Sequence, residues 1–419
     1  MRKVFYGWWI VAATSVIHLW SAGTFFYSFT AFFNPVIQEF GWSYTATSIA
    51  AALRSIEGGL ASPIVGFAAD RYGSRRLLIA GAILSGAGFI LFSRIDSLWG
   101  FYFTFIFLSI GISLLLPIPG WTATANWFVK KRSMALGILS ASIGLGGMLI
   151  YGVNLLIETY GWRTASVVIG AGFWVVTLPC ACLVRQRPET MNLLPDGDSP
   201  IASTQGASRG STPPAEGFTL SEALKTRAFW TLTAIVTVSG GAMHSVTVHI
   251  MPYFLSVEMD RGKSSLIASL LIVVSVLGRF GLGWLNNRIA GRKLLAFGLV
   301  LQASGCLLLI WADSFWKAMM FVAAFGPGFG GIITLRLVLQ ASYFGRKAFG
   351  SVQGLIMAVM VLGSMTGPVL TGMAYDSFRS YTPAWQIMAL LLFLMIPASL
   401  TLRRPPKPAA EPLPEASAL

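Results

Sequence analysis

The chain has 419 residues, of which 55% are hydrophobic and 11% charged, and its net charge is +14. A soluble domain carries roughly 25% charged residues, so this composition excludes a water-facing globule and requires a polytopic membrane protein. The excess of cations is no nucleic-acid footprint: 21 of the 30 Lys and Arg fall on one side of an alternating topology, the positive-inside pattern.

Twelve apolar stretches can be drawn, at 7–36, 44–68, 77–95, 98–126, 133–157, 163–184, 228–257, 263–286, 293–312, 315–342, 349–374 and 382–402. Most reach the ~20 residues that a helix needs to cross hydrocarbon. The predicted fold is all-α and integral to the membrane, with twelve transmembrane helices in two six-helix bundles, 1–184 and 228–404. Between them, 185–227 reads as a cytoplasmic linker. Its proline-rich part, 185–217, is expected to be mobile. Thr219-Leu-Ser-Glu222 then fits a capping box that starts a short interfacial helix. The tail, 405–419, is too rich in proline to fold. The basic, apolar N-terminus is longer than a signal peptide and is read as a retained first helix. Both termini are placed in the cytoplasm, in a bacterial inner membrane.

A charged side chain at the bilayer centre costs about 2.5–3.5 kcal/mol, so each one needs a partner or a purpose. In chain order, stretch one holds His18 and Tyr27. Stretch two holds Arg54 and Glu57 at i, i+3, either a structural ion pair or a proton carrier whose titration frees Arg54. Stretch four holds Pro117-Ile-Pro119-Gly120 and Trp121. Stretch seven holds His244 and His249, and stretch eight Ser275 and Arg279. Stretch ten holds Gly326-Pro-Gly and Arg336, which reads as a gate or an interdomain salt bridge. Arg279 has no acidic residue in its own stretch, and its planar fork can hold a carboxylate through two hydrogen bonds. Each histidine is either a satisfied core residue or a hydrogen-bond donor and proton carrier near an anion site. Cys180, Cys182 and Cys306 all lie in apolar stretches and read as small core residues, with no metal or cofactor implied.

The segment GFAADRYGSRR at 66–76 returns as GWLNNRIAGRK at 283–293, and WFVKKRSMALG at 127–137 as YFGRKAFGSVQ at 343–353. The two offsets, 217 and 216, are nearly equal, so the chain reads as a duplicated bundle, the architecture of secondary transporters. Gly66, Asp70, Arg71, Gly73, Arg75 and Arg76 match a known signature, and the chain resembles the major facilitator superfamily. Residues 127–142 resemble the monocarboxylate transporter signature of that superfamily, through Phe128, Lys130, Arg132, Ala135, Gly137 and Ala141, and Gly7-Trp8-Trp9 adds a partial match. The resemblance includes bacterial members and the related oxalate–formate exchangers.

The resemblance implies that Arg279 is the arginine that binds a substrate carboxylate. The aspartate expected one turn earlier is replaced by Ser275, and Tyr27 stands near the place of a helix-one lysine. No charge occurs between Gly350 and Ala374, which argues against a small dianion. Helices one and seven, with His18, His244 and His249, are expected to face each other across the cavity. Asp70, Arg71 and Arg75 are expected to latch the cytoplasmic face, Asp70 by pairing with an arginine or a helix dipole. Asn287 and Arg288 would form a weaker latch in the second half.

The expected function is uptake of a small monocarboxylate such as lactate or pyruvate, coupled to a proton carried by Glu57, in a monomer surrounded by lipid. Exchange of organic anions, uptake of a sulfonated acid and a non-transporting sensor are the rivals. An enzyme is not expected, since the apolar stretches hold no nucleophile elbow, paired catalytic carboxylates or metal-spaced cluster.

Overall fold

A computed structural model describes residues 5–42, 44–191, 193–197 and 217–406 of the chain. Helix α1 runs over Tyr6–Ser21, a π-helical turn Ala22–Tyr27 and a last segment Phe29–Phe40. Helices α2 (Tyr44–Tyr72) and α3 (Ser74–Phe92) follow. Helix α4 is broken into Leu98–Ser113 and Ile118–Trp127, where the Pro117 and Pro119 pair removes backbone donors from the ladder.

One apolar run, Arg132–Leu183, is 52 residues long. It folds back at Gly161, whose φ of 78° and ψ of 158° glycine adopts without a Cβ penalty. The run therefore supplies α5, up to Gly161, and α6, from there to Leu183. The second half contains α7 (Arg227–Ser256), α8 (Arg261–Leu285), α9 (Gly291–Ile310), α10 (Phe315–Phe344), α11 (Phe349–Phe378) and α12 (Thr382–Leu400). These are the twelve helices of the expected fold. Among the described residues, ten runs are apolar enough to span a membrane. Dividing the longest at Gly161 and adding α2, whose centre carries Glu57, gives twelve.

The helices pack around two apolar cores. One is built from residues between Ile10 and Val184, the other from residues between Phe218 and Leu402. A third, smaller cluster joins them: Trp121, Ala125, Leu136 and Leu139 of α4 and α5 meet Leu337, Val338, Ala341 and Phe349 of α10 and α11. Glycine permits the closest crossings. A Cβ on Gly330 of α10 would lie 1.8 Å from the Ser275 carbonyl oxygen of α8, and one on Gly66 of α2 would lie 2.2 Å from that of Gly350 in α11. The Gly/Pro segment of α10 thus serves close helix packing against α8.

The described part of the segment after α6 carries local structure. Short 3₁₀ turns form at Pro188–Met191 and Pro195–Gly197, and polar contacts tie them down. The Asp196 carboxylate accepts the backbone N–H groups of Val129, Lys130 and Lys131 at 2.7–3.1 Å. Glu189 pairs with Arg346 at 3.2 Å. Orphan amides ahead of α5 need an acceptor, and Asp196 supplies it from far along the chain. A short helix, Leu220–Leu224, starts from the complete Thr219–Glu222 capping box. The rest of the linker, 198–216, and the tail from 407 lie outside the described residues.

Candidate functional site

Interbundle side-chain hydrogen bonds among the described residues lie toward one face, at the ends of even helices and the starts of odd ones. Asp70 at the end of α2 accepts the Gly350 N–H at 3.0 Å, and the Ser351 N–H and hydroxyl at 2.7 Å each. Arg346, just after α10, donates to the Asn126 carbonyl of α4 at 2.7 Å. Asn286, just after α8, donates to the Ser133 hydroxyl of α5 at 3.0 Å. Both kinds of partner expected for Asp70 are at hand: the carboxylate sits on the N-terminus of α11, and Arg187 lies within electrostatic reach of it. In the second half the related contact comes from Asn286, whereas Asn287 is exposed on the turn. Arg71 lies over the Phe67 and Tyr72 rings, and Arg288 over Trp284. The buried Nε of Arg75 has no acceptor.

Arg279 is the deepest of these interbundle contacts. It lies six residues, about 9 Å of helix, inside the end of α8, and is 5% exposed. One terminal nitrogen donates to the Ser140 carbonyl of α5 at 2.5 Å, and its Nε has no partner. No ion pair to it occurs among the described residues. The guanidinium carries five N–H donors, so most of its capacity is open. Tyr27 of α1 lies within electrostatic reach of it, and a Cβ on Gly144 of α5 would come within 2.9 Å of its Nη1. The guanidinium of α8 therefore lies against α5, with Tyr27 of α1 within reach.

A second cluster adjoins it. Arg336 of α10, 5% exposed, lies over the Trp121 ring of α4 at 5.2 Å, with Met360 of α11 at 3.8 Å from its Nη1. Among the described residues it makes no salt bridge. The interbundle contact of this arginine is a cation–π contact, not the anticipated ion pair. Next to Trp121, Gly120 leaves room for His18, which is fully buried against it and near the Leu139 backbone of α5. Among the described residues, neither ring nitrogen of His18 has a partner at hydrogen-bond geometry. Two groups thus stand at the bundle boundary, Arg336 with Trp121 and, beside Gly120, His18, and Arg279 with Tyr27.

The other expected site residues have bonds of their own. The Ser275 hydroxyl turns back to the Ile272 carbonyl of its own helix at 2.7 Å. His249 meets the Pro368 carbonyl of α11 at 2.9 Å and packs beside Tyr381, while His244 is exposed on α7. Glu57, at the centre of α2, accepts from the Ser113 hydroxyl of α4 at 3.1 Å, and its other oxygen is buried without a donor among the described residues. The side chain of Arg54 lies outside the described residues, so its pairing with Glu57 is not described. Ser140 and Gly144, which seat Arg279, were not singled out from the sequence. Ser140 lay in view, inside the 127–142 signature.

Comparison with known proteins agrees with this architecture. The sequence profile described as Major Facilitator Superfamily matches residues 16–268 and 245–418. Monocarboxylate transporter 11 of Homo sapiens is 26% identical over 403 residues, covering 92% of this chain and 81% of its own. Monocarboxylate transporter 2 of Rattus norvegicus is 26% identical over 400 residues, covering 90% and 79%. Among solved structures, the transporter FucP in its outward conformation superposes with a TM-score of 0.68 at 14% identity, covering 94% of this chain and 99% of that one. The proton:xylose symporter XylE bound to 6-bromo-6-deoxy-D-glucose gives 0.69 at 13%, covering 95% and 96%. At these identities the solved structures establish the fold alone. The chain is an integral membrane transporter related to the monocarboxylate transporters, and it belongs to the Major Facilitator Superfamily.

Proposed function

We propose that the protein carries small monocarboxylates, of the lactate and pyruvate kind, together with a proton, by rocking its two bundles around Arg279. The observation that carries this reading is the state of that guanidinium: buried at the bundle boundary, bonded to one carbonyl and without an acidic partner among the described residues. A buried cation left this way is costly, and a carboxylate seated on its fork returns two charge-assisted hydrogen bonds. The relatives named as monocarboxylate transporters support the same substrate class.

Moving an anion inward against an inside-negative potential costs ~2.3 kcal/mol per 100 mV. A proton carried with it cancels that term. Since Ser275 has no titratable group and is turned into its own helix, Glu57 is the acid we assign to proton coupling. The contacts that close the Asp70 face correspond to the state open on the opposite side.

The test is uptake into proteoliposomes with and without a pH gradient, using a panel of radiolabelled acids, for the wild type and Arg279→Lys. The lysine keeps the charge but removes the fork, so KM for the transported acid should rise at least about tenfold, since a bidentate contact is lost. Unchanged affinity for every acid overturns the clamp. Uptake that ignores the gradient but is stimulated by internal substrate replaces symport with exchange.

A further inference from the structure

A cleft of about 620 Å³ opens where the α8–α9 turn, the end of α10 and the residues after α12 meet. Its walls carry Arg288, Arg292, Arg403 and Arg404, with Asn286 and Tyr343 between them and, among the described residues, no carboxylate. Arg288 lies over the Trp284 ring at 4.7 Å, and Arg292 is within electrostatic reach of Tyr343. None of the four forms an ion pair among the described residues. Four like charges around one concavity repel each other and focus a positive potential into it.

The internal repeat shows how the first half treats the same corner. Helix α3 begins at Ser74, and Gln186, three residues beyond α6, accepts the Ser74 N–H at 2.6 Å. The Gln186 amide also donates to the Ala69 carbonyl at 3.2 Å. Displaced by 217 residues, Ser74 becomes Gly291, where α9 begins, and Leu183 becomes Leu400, where α12 ends. The same displacement turns Gln186 into Arg403. A guanidinium has no acceptor atom, and Ala290 ahead of α9 offers no side-chain cap. The second half has therefore placed a cation where the first half has a neutral acceptor, beside the positive end of a helix. That exchange sets two positive groups side by side, an arrangement that an anion between them would relieve.

We propose that this cleft is a binding site for a phosphate group, presented by an anionic lipid headgroup or as the free ion. Arg292, Arg403 and Arg404 supply charge-assisted donors, Arg288 adds to the field, and the start of α9 supplies backbone N–H groups. Trp284 and Ile289, both exposed on the adjoining turn, give an apolar neighbour to the acyl chains of a lipid. Arg279 is not among the residues that line the cleft, and the site does not depend on which solute is carried.

The test is thermal unfolding of the purified full-length protein in neutral detergent, with added phosphatidylglycerol, phosphatidylcholine or inorganic phosphate. Phosphatidylglycerol should raise Tm by about 3 °C or more, as a ligand that favours the folded form does, and phosphatidylcholine by less than about 1 °C. Arg403→Gln copies the first half: it should hold or raise the Tm without lipid and abolish the rise with phosphatidylglycerol. Arg292→Gln/Arg404→Gln should also lose the rise. A shift of equal size with millimolar phosphate, lost in the same variants, identifies the free ion as the source and supports the site. Equal shifts with both lipids, a rise that survives in both variants, or no shift with any phosphate compound overturns the proposal.

Discussion

Ser351 donates both its backbone N–H and its hydroxyl to one carboxylate oxygen of Asp70, each at 2.7 Å, and so fastens the first turn of α11 to the end of α2. Gly350 reaches the other oxygen, and the absence of side chains at Gly66 and Gly350 lets the two helices come close enough for these bonds. The latch is a carboxylate on a helix N-terminus, so charge, geometry and close packing depend on one another.

Asp70→Asn keeps an acceptor but loses the charge. Hydrogen bonds to charged groups contribute about 1.5–3 kcal/mol, so the closed state of this face should lose roughly tenfold to a hundredfold in relative population. Hydrogen exchange at the start of α11 should become faster, while exchange inside α9 stays as it was. Unchanged protection at Gly350 and Ser351 removes the latch assignment.

Gly144→Ala should disable the clamp and leave the fold intact. Its Cβ would approach the Arg279 Nη1 to 2.9 Å, and a flexible guanidinium yields to this more readily than backbone would. The fork then turns away from its position against Ser140, and a misplacement of about 1 Å can cost a hundredfold in rate. We expect a large fall in uptake with a Tm within about 2 °C of the wild type, as for substitutions that avoid core strain.

Gly330→Val should behave in the opposite way. Its Cβ would overlap the Ser275 carbonyl oxygen, at 1.8 Å, and backbone on both sides blocks relief. Overpacking of this kind costs about 1–3 kcal/mol or more. Folded yield after detergent extraction should fall sharply, with transport lost in proportion to protein and not beyond it.

Trp121→Leu removes the ring under Arg336. A desolvated cation–π contact is worth about 2 kcal/mol, and the buried guanidinium would keep its contact with Met360. Trp121→Phe should restore much of the stability, since it keeps a π face. Equal Tm values for the Leu and Phe variants would argue that the ring contributes by volume alone.

On the opposite face, Glu39 accepts hydrogen bonds from Arg163 and from the Trp162 indole N–H, and these hold its carboxyl below the ordinary glutamate range. Its folded pKa is lowered, so its contribution to stability is complete above the unfolded value of about 4.3. It disappears as pH falls through the folded value. The Tm difference between wild type and Glu39→Gln should be constant near pH 6–7 and close below about pH 4. The pair is about two-fifths exposed, so added salt should shrink the difference.

Much of the architecture could be read before any coordinates. The apolar stretches were legible because burial in hydrocarbon acts on each segment separately, and the repeat because its basic turns kept their spacing. Arg279 stood out through its cost, which depends on its own helix alone. The break at Pro117 and the fold-back at Gly161 refine those stretches without changing their number.

What the sequence determined by itself was the class of protein, its twelve helices and the few charged residues that need a reason to be in the membrane. Tertiary structure decided which groups meet. Asp70 and Ser351 are 281 positions apart, and Arg279 and Ser140 are 139 apart. Pairing over such distances follows from how two bundles dock, and hydropathy does not encode that. Docking is why Asp70 found a helix end and why Arg336 found an aromatic ring. Hydrophobic burial is additive and local, whereas each polar contact exists only where two surfaces converge.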